Sequence, residues 1–482
     1  MTMANHQTAE DLPAPPPADV GPLPAAEASS AELNSVGPLS LKTVLLSVEQ
    51  SYPLLQEVLL EHEVAAGGRL AAGGEFDLRL KTANEAAPLG FYQTYRNTAK
   101  IEQATFNGGS VFGQYRIGRG DFEPWFGDRQ TDDGGEFKLG FEAPLLSNRQ
   151  IDRRRAAIFQ ADLDVQAVDP LVRSQSLEFA RLATQAYWTW VGTALAVDAQ
   201  QQLLKLAAER AEQIEERVRV GDVEPIVRID NERLIASRET KLIESQRKSQ
   251  QAAIKLSLFF RSADGKPIVP GGDHAPDAMI VPAELHLPAT EDLSQQAAAN
   301  RPEFVAIDVV RRRAEVALAE AENKLLPKLN AKVEASKDVG APSSSKGDKT
   351  PFKLEAGLFG EVPLQRSEAH GKIHAVQAKL AQIDVKRGFL VDKVGAEVQD
   401  AVSAMTTAAQ RTRRAEDYLR LAQQSLDLGR VAFDAGDSDV ITLNIREQAV
   451  TDAQLSLLSS QVDFLSAQAD FRAAMGLDPL VD

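Results

Sequence analysis

The sequence lacks several features that point to familiar classes of protein. It contains no cysteine in 482 residues, which excludes disulfide bonds, thiolate metal sites, a cysteine nucleophile and a lipid-modified N-terminal cysteine. It has no run of about 20 apolar residues, so no transmembrane helix is predicted. Aromatic residues make up only 6%, a composition typical of long helices. The formal net charge of −16 argues against nucleic-acid binding, which needs a basic surface.

The N-terminal segment lacks the features of a signal peptide. Residues 1–38 are rich in proline and alanine and have neither a basic start nor an apolar core. We expect a flexible tail there. The missing signal argues against an exported protein, unless the start of the sequence is mis-assigned or trimmed.

The clearest helical pattern lies in residues 429–476. Larger apolar residues recur every seven positions, at Val450, Leu457, Phe464 and Phe471. Small residues follow three positions later, at Ala453, Ser460, Ala467 and Ala474. A second apolar seam runs beside this one. One seam predicts a helix that packs on one neighbour, and two seams predict a helix with a neighbour on each side.

This pattern also occurs earlier in the chain. Gly221 precedes Glu232 by the same number of residues as Gly436 precedes Glu447. The heptad shifted by the same amount falls on Ile235, Leu242, Ser249 and Leu256. We interpret this as an internal duplication. Two unrelated amphipathic hairpins are the alternative interpretation.

Between the helical segments the hydrophobic period changes to two, which predicts strands. The alternating runs are 75–81, 136–144, 329–336 and 354–362, each with one apolar and one polar face. About fifty residues rich in glycine and aromatics separate the first two runs, and the sequence leaves open whether they form further strands or a surface loop. We also expect a kink or a break at Pro170 within the following long helix.

The chain therefore predicts a mainly α protein with β-structure, built from a duplicated unit of helix, strand, strand, long helix, turn and long helix. The first repeat spans 39–262, with strands at about 75–145 and a hairpin at about 147–262; a connector spans 263–298; and the second repeat spans 299–478, with strands at about 327–364 and a hairpin at about 367–476. Strands of this length with one apolar face fit a bilayer-spanning wall. Four strands cannot close such a wall alone, so several chains are required.

The duplicated unit, the strand-to-helix junctions "APLL" and "VPLQ", and the hairpin ending in "FRAAMGL" resemble the TolC-like outer-membrane efflux factors. The resemblance covers about residues 39–477. It implies a homotrimer with a 12-stranded outer-membrane β-barrel, four strands per chain, above a periplasmic tunnel of coiled α-helices. Such a trimer is a passive export duct for efflux or type I secretion. Its expected partners are outer-membrane lipid, a periplasmic adaptor and an inner-membrane transporter.

The resemblance also implies that two helix–helix turns form the periplasmic tip and the adaptor contact. The residues are Gly221, Asp222, Glu224, Pro225, Gly436, Asp437 and Asp439. Their carboxylates predict a ring that favours cations. Helix capping is an equal explanation for Glu224 and Asp439, and turn geometry explains the two glycines.

Two departures from the family are evident. The tyrosine, arginine and aspartates that close the tip of its best-known member are replaced here by Phe433, Ser438, Thr442 and Ile445. Phe433 is the possible gate-equivalent position, and closure must use other contacts. The second departure is the missing signal peptide.

Other constellations suggest no chemistry. His370 and His374 lie four residues apart but lack a third ligand, so no metal is expected, and no cofactor motif is present. The arginine runs 153–155 and 311–313 are interpreted as solvated helix faces, with contact to acidic lipid headgroups as the second hypothesis. Trp125 is interpreted as an interfacial anchor. The sequence offers no nucleophile–base pair, so an enzyme is not predicted. A non-membrane coiled-coil scaffold with a small β-domain is the alternative function.

Overall fold

The computed structural model describes residues 37–282, 285, 287–343, 352–435 and 437–478. The tail predicted over residues 1–38 lies outside this part except for its last two residues, and so does Gly436. Contacts divide the chain into two compact units. Unit 1 comprises His62–Val168 and Ile307–Lys386, and unit 2 comprises residues 37–61, 169–306 and 387–478 of the described chain.

Unit 1 is built on one antiparallel sheet in which neighbouring strands follow chain order. Its strands are β1 (Arg79–Ala87), β2 (Thr94–Ala104), β3 (Ser110–Gly120), β4 (Glu136–Pro144), β5 (Lys328–Asp338) and β6 (Lys353–Glu361). Six strands rather than the expected four correct the prediction of four strands per chain. The reason is that the segment left open by the sequence forms the hairpin β2–β3 between β1 and β4.

The first strand begins later than its alternating sequence predicts. Gly74–Phe76 forms a short 3₁₀ turn, and the ladder starts at Arg79. Glu75 is held by Arg79 and Arg153 at 3.1 and 3.0 Å, while the Phe76 ring packs 5.7 Å from that of Phe106. These contacts keep the first residues of the run out of the sheet.

The helices are α1 (Leu41–Ser51), α2 (Pro53–Leu59), α3 (Glu61–Gly73), α4 (Arg153–Arg219), α5 (Pro225–Leu256), α6 (Thr290–Asn300), α7 (Pro302–Asn323), α8 (Ser367–Asp434) and α9 (Val440–Ala474). Helix α4 continues through Pro170, so the chain does not break there. Pro170 follows the division between the two units, which falls at Val168.

Unit 2 holds the larger hydrophobic core. Trp190, Tyr187, Leu256 and Phe464 are almost fully buried in one cluster, to which α4, α5 and α9 contribute. The small residues of the α9 heptad, at positions 453, 460, 467 and 474, are only 0–7% exposed. As a row, they are more deeply buried than the larger residues of the same heptad. Small side chains allow neighbouring helices to approach closely, and this explains why the heptad alternates large and small residues.

Within the described residues, no helix combines the length and the apolar character needed to cross a bilayer.

The centre of the sheet contains one tight contact between a glycine and an aromatic ring. Phe112 of β3 is 6% exposed and lies opposite Gly140 of β4. A β-carbon at Gly140 would lie 2.6 Å from the Phe112 ring and 2.9 Å from the Val333 carbonyl oxygen. At Gly360 of β6, the nearest atom would be 3.9 Å away.

We expect Gly140→Ala to lower the free energy of unfolding by about 1–3 kcal/mol, because the added methyl overpacks this contact. Gly360→Ala is the matched control and should change it by less than about 0.5 kcal/mol. Urea unfolding of the purified protein measures both values. Equal effects of the two substitutions would contradict this account of the sheet.

Candidate functional site: the sheet faces and the helix-hairpin turns

One face of the sheet is apolar and exposed. The backbone register aligns Leu80, Ile101, Gly113, Leu139, Ala335 and Leu354 in one row across all six strands. On this face the exposed fractions of Leu80, Leu139 and Leu354 are 69%, 65% and 65%. A sheet that folds in water buries its apolar face instead. The strands of this protein therefore present to their surroundings the face that a soluble sheet hides.

The opposite face is charged and less exposed. Lys138 and Lys332 both reach Glu334, at 3.0 and 2.7 Å, and Lys81 and Lys100 both reach Glu102, at 3.1 and 2.6 Å. Strand parity places nine basic and eight acidic residues on this face: Arg79, Lys81, Arg96, Lys100, Arg116, Lys138, Lys328, Lys332, Lys353, Glu85, Glu102, Glu136, Glu142, Glu334, Asp338, Glu355 and Glu361. Because the two signs nearly balance, this face carries little net field.

The first hairpin turn, between α4 and α5, is closed by backbone geometry. The Asp222 N–H donates to the Arg217 carbonyl at 2.9 Å, the Gly221 N–H donates to that of Val218 at 3.1 Å, and Gly221 has φ +78°. These bonds end α4 in a Schellman motif, which requires a left-handed residue. Glu224 occupies the N-cap position of α5 without a side-chain cap bond, and Pro225 begins the helix.

The second turn, between α8 and α9, repeats one of these bonds at the equivalent position. The Asp437 N–H donates to the Ala432 carbonyl at 2.8 Å. Asp439 is the N-cap of α9, and its carboxylate accepts the Thr442 N–H at 2.7 Å. Hydrogen bonds from the Thr442 side chain and backbone lower the pKa of Asp439. Capping is thus an observed role for Asp439.

The predicted carboxylates of the turns differ in their surroundings. All four are exposed. Asp222 accepts a hydrogen bond from Arg217 at 2.6 Å, so its charge is largely balanced locally. Asp437 forms no ion pair within the described part of the chain. Phe433 lies half-buried in the last turns of α8.

A buried charge cluster, which the sequence did not reveal, lies a few helical turns from both chain reversals. Glu447 of α9 lies between Arg210 of α4 and Arg238 of α5, and contacts Arg238 at 3.3 Å. The side chains of Glu447 and Arg238 are 2% and 1% exposed. Arg210 also donates to Asn444, and Arg238 donates to the Leu203 carbonyl at 2.7 Å.

Burial lowers the pKa of Arg238, while the charge of Glu447 acts in the opposite direction. The position equivalent to Glu447 in the first hairpin, Glu232, is exposed and lies 3.9 Å from Arg228. Burial of Glu447 therefore depends on tertiary packing that the shared sequence spacing does not encode. The cluster joins the start of the second hairpin to both helices of the first.

Another sequence interpretation is wrong. Arg155, assigned to a solvated face, is 5% exposed and donates to the Arg149 carbonyl at 2.9 Å. His370 and His374 lie exposed on α8, and the described residues contain no group of three side chains that could hold a metal ion.

Comparison of the sequence with family models and with curated proteins finds no match. Solved structures do match the fold. A membrane protein from Pseudomonas aeruginosa has a TM-score of 0.63 at 14% identity, over 90% of this chain and 93% of that one. The chain has the TolC-like fold.

Two further structures share that fold. The outer-membrane protein VceC of Vibrio cholerae has a TM-score of 0.61 at 15% identity, over 90% of this chain and 96% of that one. The MtrE outer-membrane channel of Neisseria gonorrhoeae, in its open state, has a TM-score of 0.62 at 16% identity, over 91% and 88%. The predicted mainly helical fold with an antiparallel sheet is confirmed, at an identity too low for residue roles to be transferred.

We expect Glu447→Ala to lower the free energy of unfolding by about 3–5 kcal/mol, because it leaves two buried guanidinium groups without their shared carboxylate. Glu232→Ala, at the equivalent but exposed position, should change it by less than about 0.5 kcal/mol. Chemical unfolding monitored by tryptophan fluorescence measures both. Similar values for the two variants would contradict the buried cluster.

Two substitutions of Asp439 distinguish its role as a helix cap from an effect of its negative charge alone. Asp439→Asn should keep α9 protected, because asparagine caps helices as well as aspartate does, while Asp439→Ala should speed hydrogen exchange in the first turn of α9. Because the folded pKa is lowered, the cap should stabilise the helix above the ordinary value of 3.8. That stability should be lost as the pH falls through the lowered pKa. Asp437→Ala is the control, and an Asn variant that exchanges as fast as the Ala variant would contradict capping.

Proposed function

We propose that this chain is the subunit of a passive homotrimeric export channel in the outer membrane of a Gram-negative cell. In this role it works with a periplasmic adaptor and an inner-membrane transporter, in drug efflux or type I secretion. The fold similarity to outer-membrane channels supports the proposal. No catalytic step is part of it.

The observation that carries the proposal is the reversed polarity of the sheet. Phe137, Leu139 and Phe141 of β4 are 55%, 65% and 47% exposed, while Glu136 beside them is 4% exposed and binds Arg116. Lipid is the environment in which the exposed apolar face is stable and the charged face must line an aqueous interior. The alternative function, a non-membrane scaffold, leaves this apolar face in water.

The helices of unit 2 support assembly with other copies. Large apolar side chains lie exposed along α8 and α9, among them Leu421, Leu428, Val431, Ile441 and Ile445. The core of unit 2 occupies the other side of the same helices, through residues such as Met405 and Phe464. Exposed apolar rows on helices that are already packed on one side favour neighbouring subunits.

In the proposed channel the two turns form the periplasmic tip and contact the adaptor, through Gly221, Asp222, Glu224, Pro225, Gly436, Asp437 and Asp439. Asp437 is the best candidate for a carboxylate ring, because Asp222 pairs with Arg217 and Asp439 caps α9. The nearly balanced charges of the sheet leave ion selectivity to such a ring. Phe433 is the proposed gate-equivalent position.

Reconstitution in a planar bilayer tests the proposal. The native protein should form conducting channels with a preference for cations, and Asp437→Asn should reduce that preference most at low salt, where charges are least screened. Asp222→Asn is the matched control and should have a smaller effect. An unchanged ion preference in the Asp437 variant would remove Asp437 from the ring.

The scaffold alternative has its own signature. If the chain is a scaffold, the purified protein should be a folded monomer or dimer in buffer without detergent. It should not insert into a bilayer. The channel requires detergent for solubility and forms stable trimers. Absence of any conductance from the native protein would overturn the proposed function.

A further inference from the structure

The segment between β3 and β4, residues 121–135, turns back over the charged face of the sheet. Gly118 of β3 lies on that face, two residues after Arg116. A β-carbon at Gly118 would lie 3.1 Å from the Arg129 carbonyl carbon and closer still to its oxygen. The Arg116 side chain, which belongs to the same face, donates to the Asp128 carbonyl at 2.8 Å. The backbone of the segment therefore crosses the charged face.

This crossing lies at one particular end of the sheet. Strands β4 and β6 lead into α4 and α8 at their C-terminal ends, whereas the segment joins the end of β3 to the start of β4. It therefore lies at the sheet end opposite to the one that leads into the long helices. In the proposed channel these helices extend into the periplasm, so the segment lies at the outer mouth.

Hydrogen bonds hold the C-terminal half of the segment on the sheet. Thr131 is 0% exposed; its N–H donates to the Gly118 carbonyl at 3.3 Å, and its hydroxyl accepts the Gly118 N–H at 3.1 Å. The Arg119 guanidinium donates to the Thr131 carbonyl at 3.4 Å. The Gly134 N–H donates to the Val339 carbonyl, just after β5, at 2.7 Å. The segment is therefore anchored both to β3 and to the chain that follows β5.

The N-terminal half of the segment presents two aromatic side chains. Pro124–Arg129 forms a 3₁₀ turn in which every residue is exposed. The Arg129 guanidinium lies 4.0 Å from the centre of the Phe126 ring. The Trp125 ring is 72% exposed and contacts no other ring or cation within the described part of the chain. An exposed indole on an anchored backbone offers a contact surface to aromatic groups.

We propose that the turn Pro124–Arg129 narrows the outer mouth of the channel, and that Trp125 contacts the solutes that pass it. Trp125 is then a specificity-determining residue that favours aromatic and amphipathic solutes. The inference rests on the proposed function, because the charged face lines a path only in a closed wall. It replaces the interpretation of Trp125 as an interfacial anchor, which requires the ring to face lipid.

Tryptophan fluorescence locates the ring. The chain has three tryptophans, so the difference in emission between the native protein and Trp125→Phe isolates Trp125. In vesicles of brominated phospholipid this emission should persist, because the ring lies in the aqueous path. Trp125→Phe/Phe137→Trp is the matched control: Phe137 lies at the same sheet end on the apolar face, and a tryptophan there should lose most of its emission to the bromine atoms. Quenching of Trp125 as strong as in this control would overturn the inference.

A tethered polymer tests whether the turn lies in the path. The native chain has no cysteine, so Trp125→Cys carries one thiol per chain. A maleimide polyethylene glycol of about 5 kDa, added to channels in a planar bilayer, should lower their conductance by more than about half, because it fills the narrowed mouth. Leu89→Cys, exposed between β1 and β2 at the same sheet end, is the matched control and should lower it by less than about a tenth once labelled. Equal losses at the two sites would contradict the proposed position of the turn.

The specificity of Trp125 has a separate measurement. Tryptophanamide added on the outer side should block the current, and Trp125→Ala should raise its half-blocking concentration about threefold, because an aromatic contact is lost. Leu89→Ala should leave that concentration unchanged. An unchanged value in Trp125→Ala would overturn the inference and leave the proposed function standing. Native protein that forms no channel would overturn both.

Discussion

A sheet that exposes leucine and phenylalanine on one face while its lysines and glutamates pair on the other is constrained by its solvent. In water the exposed apolar area gains none of the roughly 25 cal/mol per Å² that burial would contribute to folding. In lipid the same face is stable, but every backbone N–H and C=O group at the wall must then have a partner. The outer edges of β1 and β6 have no such partner within the described chain. The need for strands that pair with these two edges is the condition on which the rest of the architecture depends.

The charged face meets a second condition. A charge that leaves water is costly unless a partner of opposite sign lies close to it. Glu102 and Glu334 each bind two lysines, and the lysines at positions 100 and 332 also lie over the Phe112 ring, at 4.4 and 5.4 Å from its centre. The result is a polar face whose charges are paired and nearly balanced.

The sequence pattern predicted the helices and the apolar faces well, because both follow from periodicity. Helix α8 begins at Ser367, where the second hairpin is predicted to start, and the alternating residues of β4 and β5 lie as expected. The sequence left open whether the segment of β2 and β3 forms strands or a loop, because the glycines of β3 and its turns weaken the alternation. The cluster around Glu447 was missed for another reason: Arg210, Arg238 and Glu447 are far apart in sequence, and only tertiary packing brings them together.

The two hairpins share a backbone hydrogen bond at their turns but differ in the buried side chains of their helices. The bond from Asp222 to Arg217 in the first turn has its counterpart from Asp437 to Ala432 in the second, which is the geometry expected of a duplicated turn. Yet Glu447 is buried while Glu232, at the equivalent position of the first hairpin, is exposed, and both guanidinium partners of Glu447 come from the first hairpin. Any rotation of α9 against α4 and α5 must therefore separate three buried charges at once, whereas the contacts of the turns are exposed and weak. Separating the helices at Glu447 therefore costs more than breaking the exposed contacts of the turns beyond it.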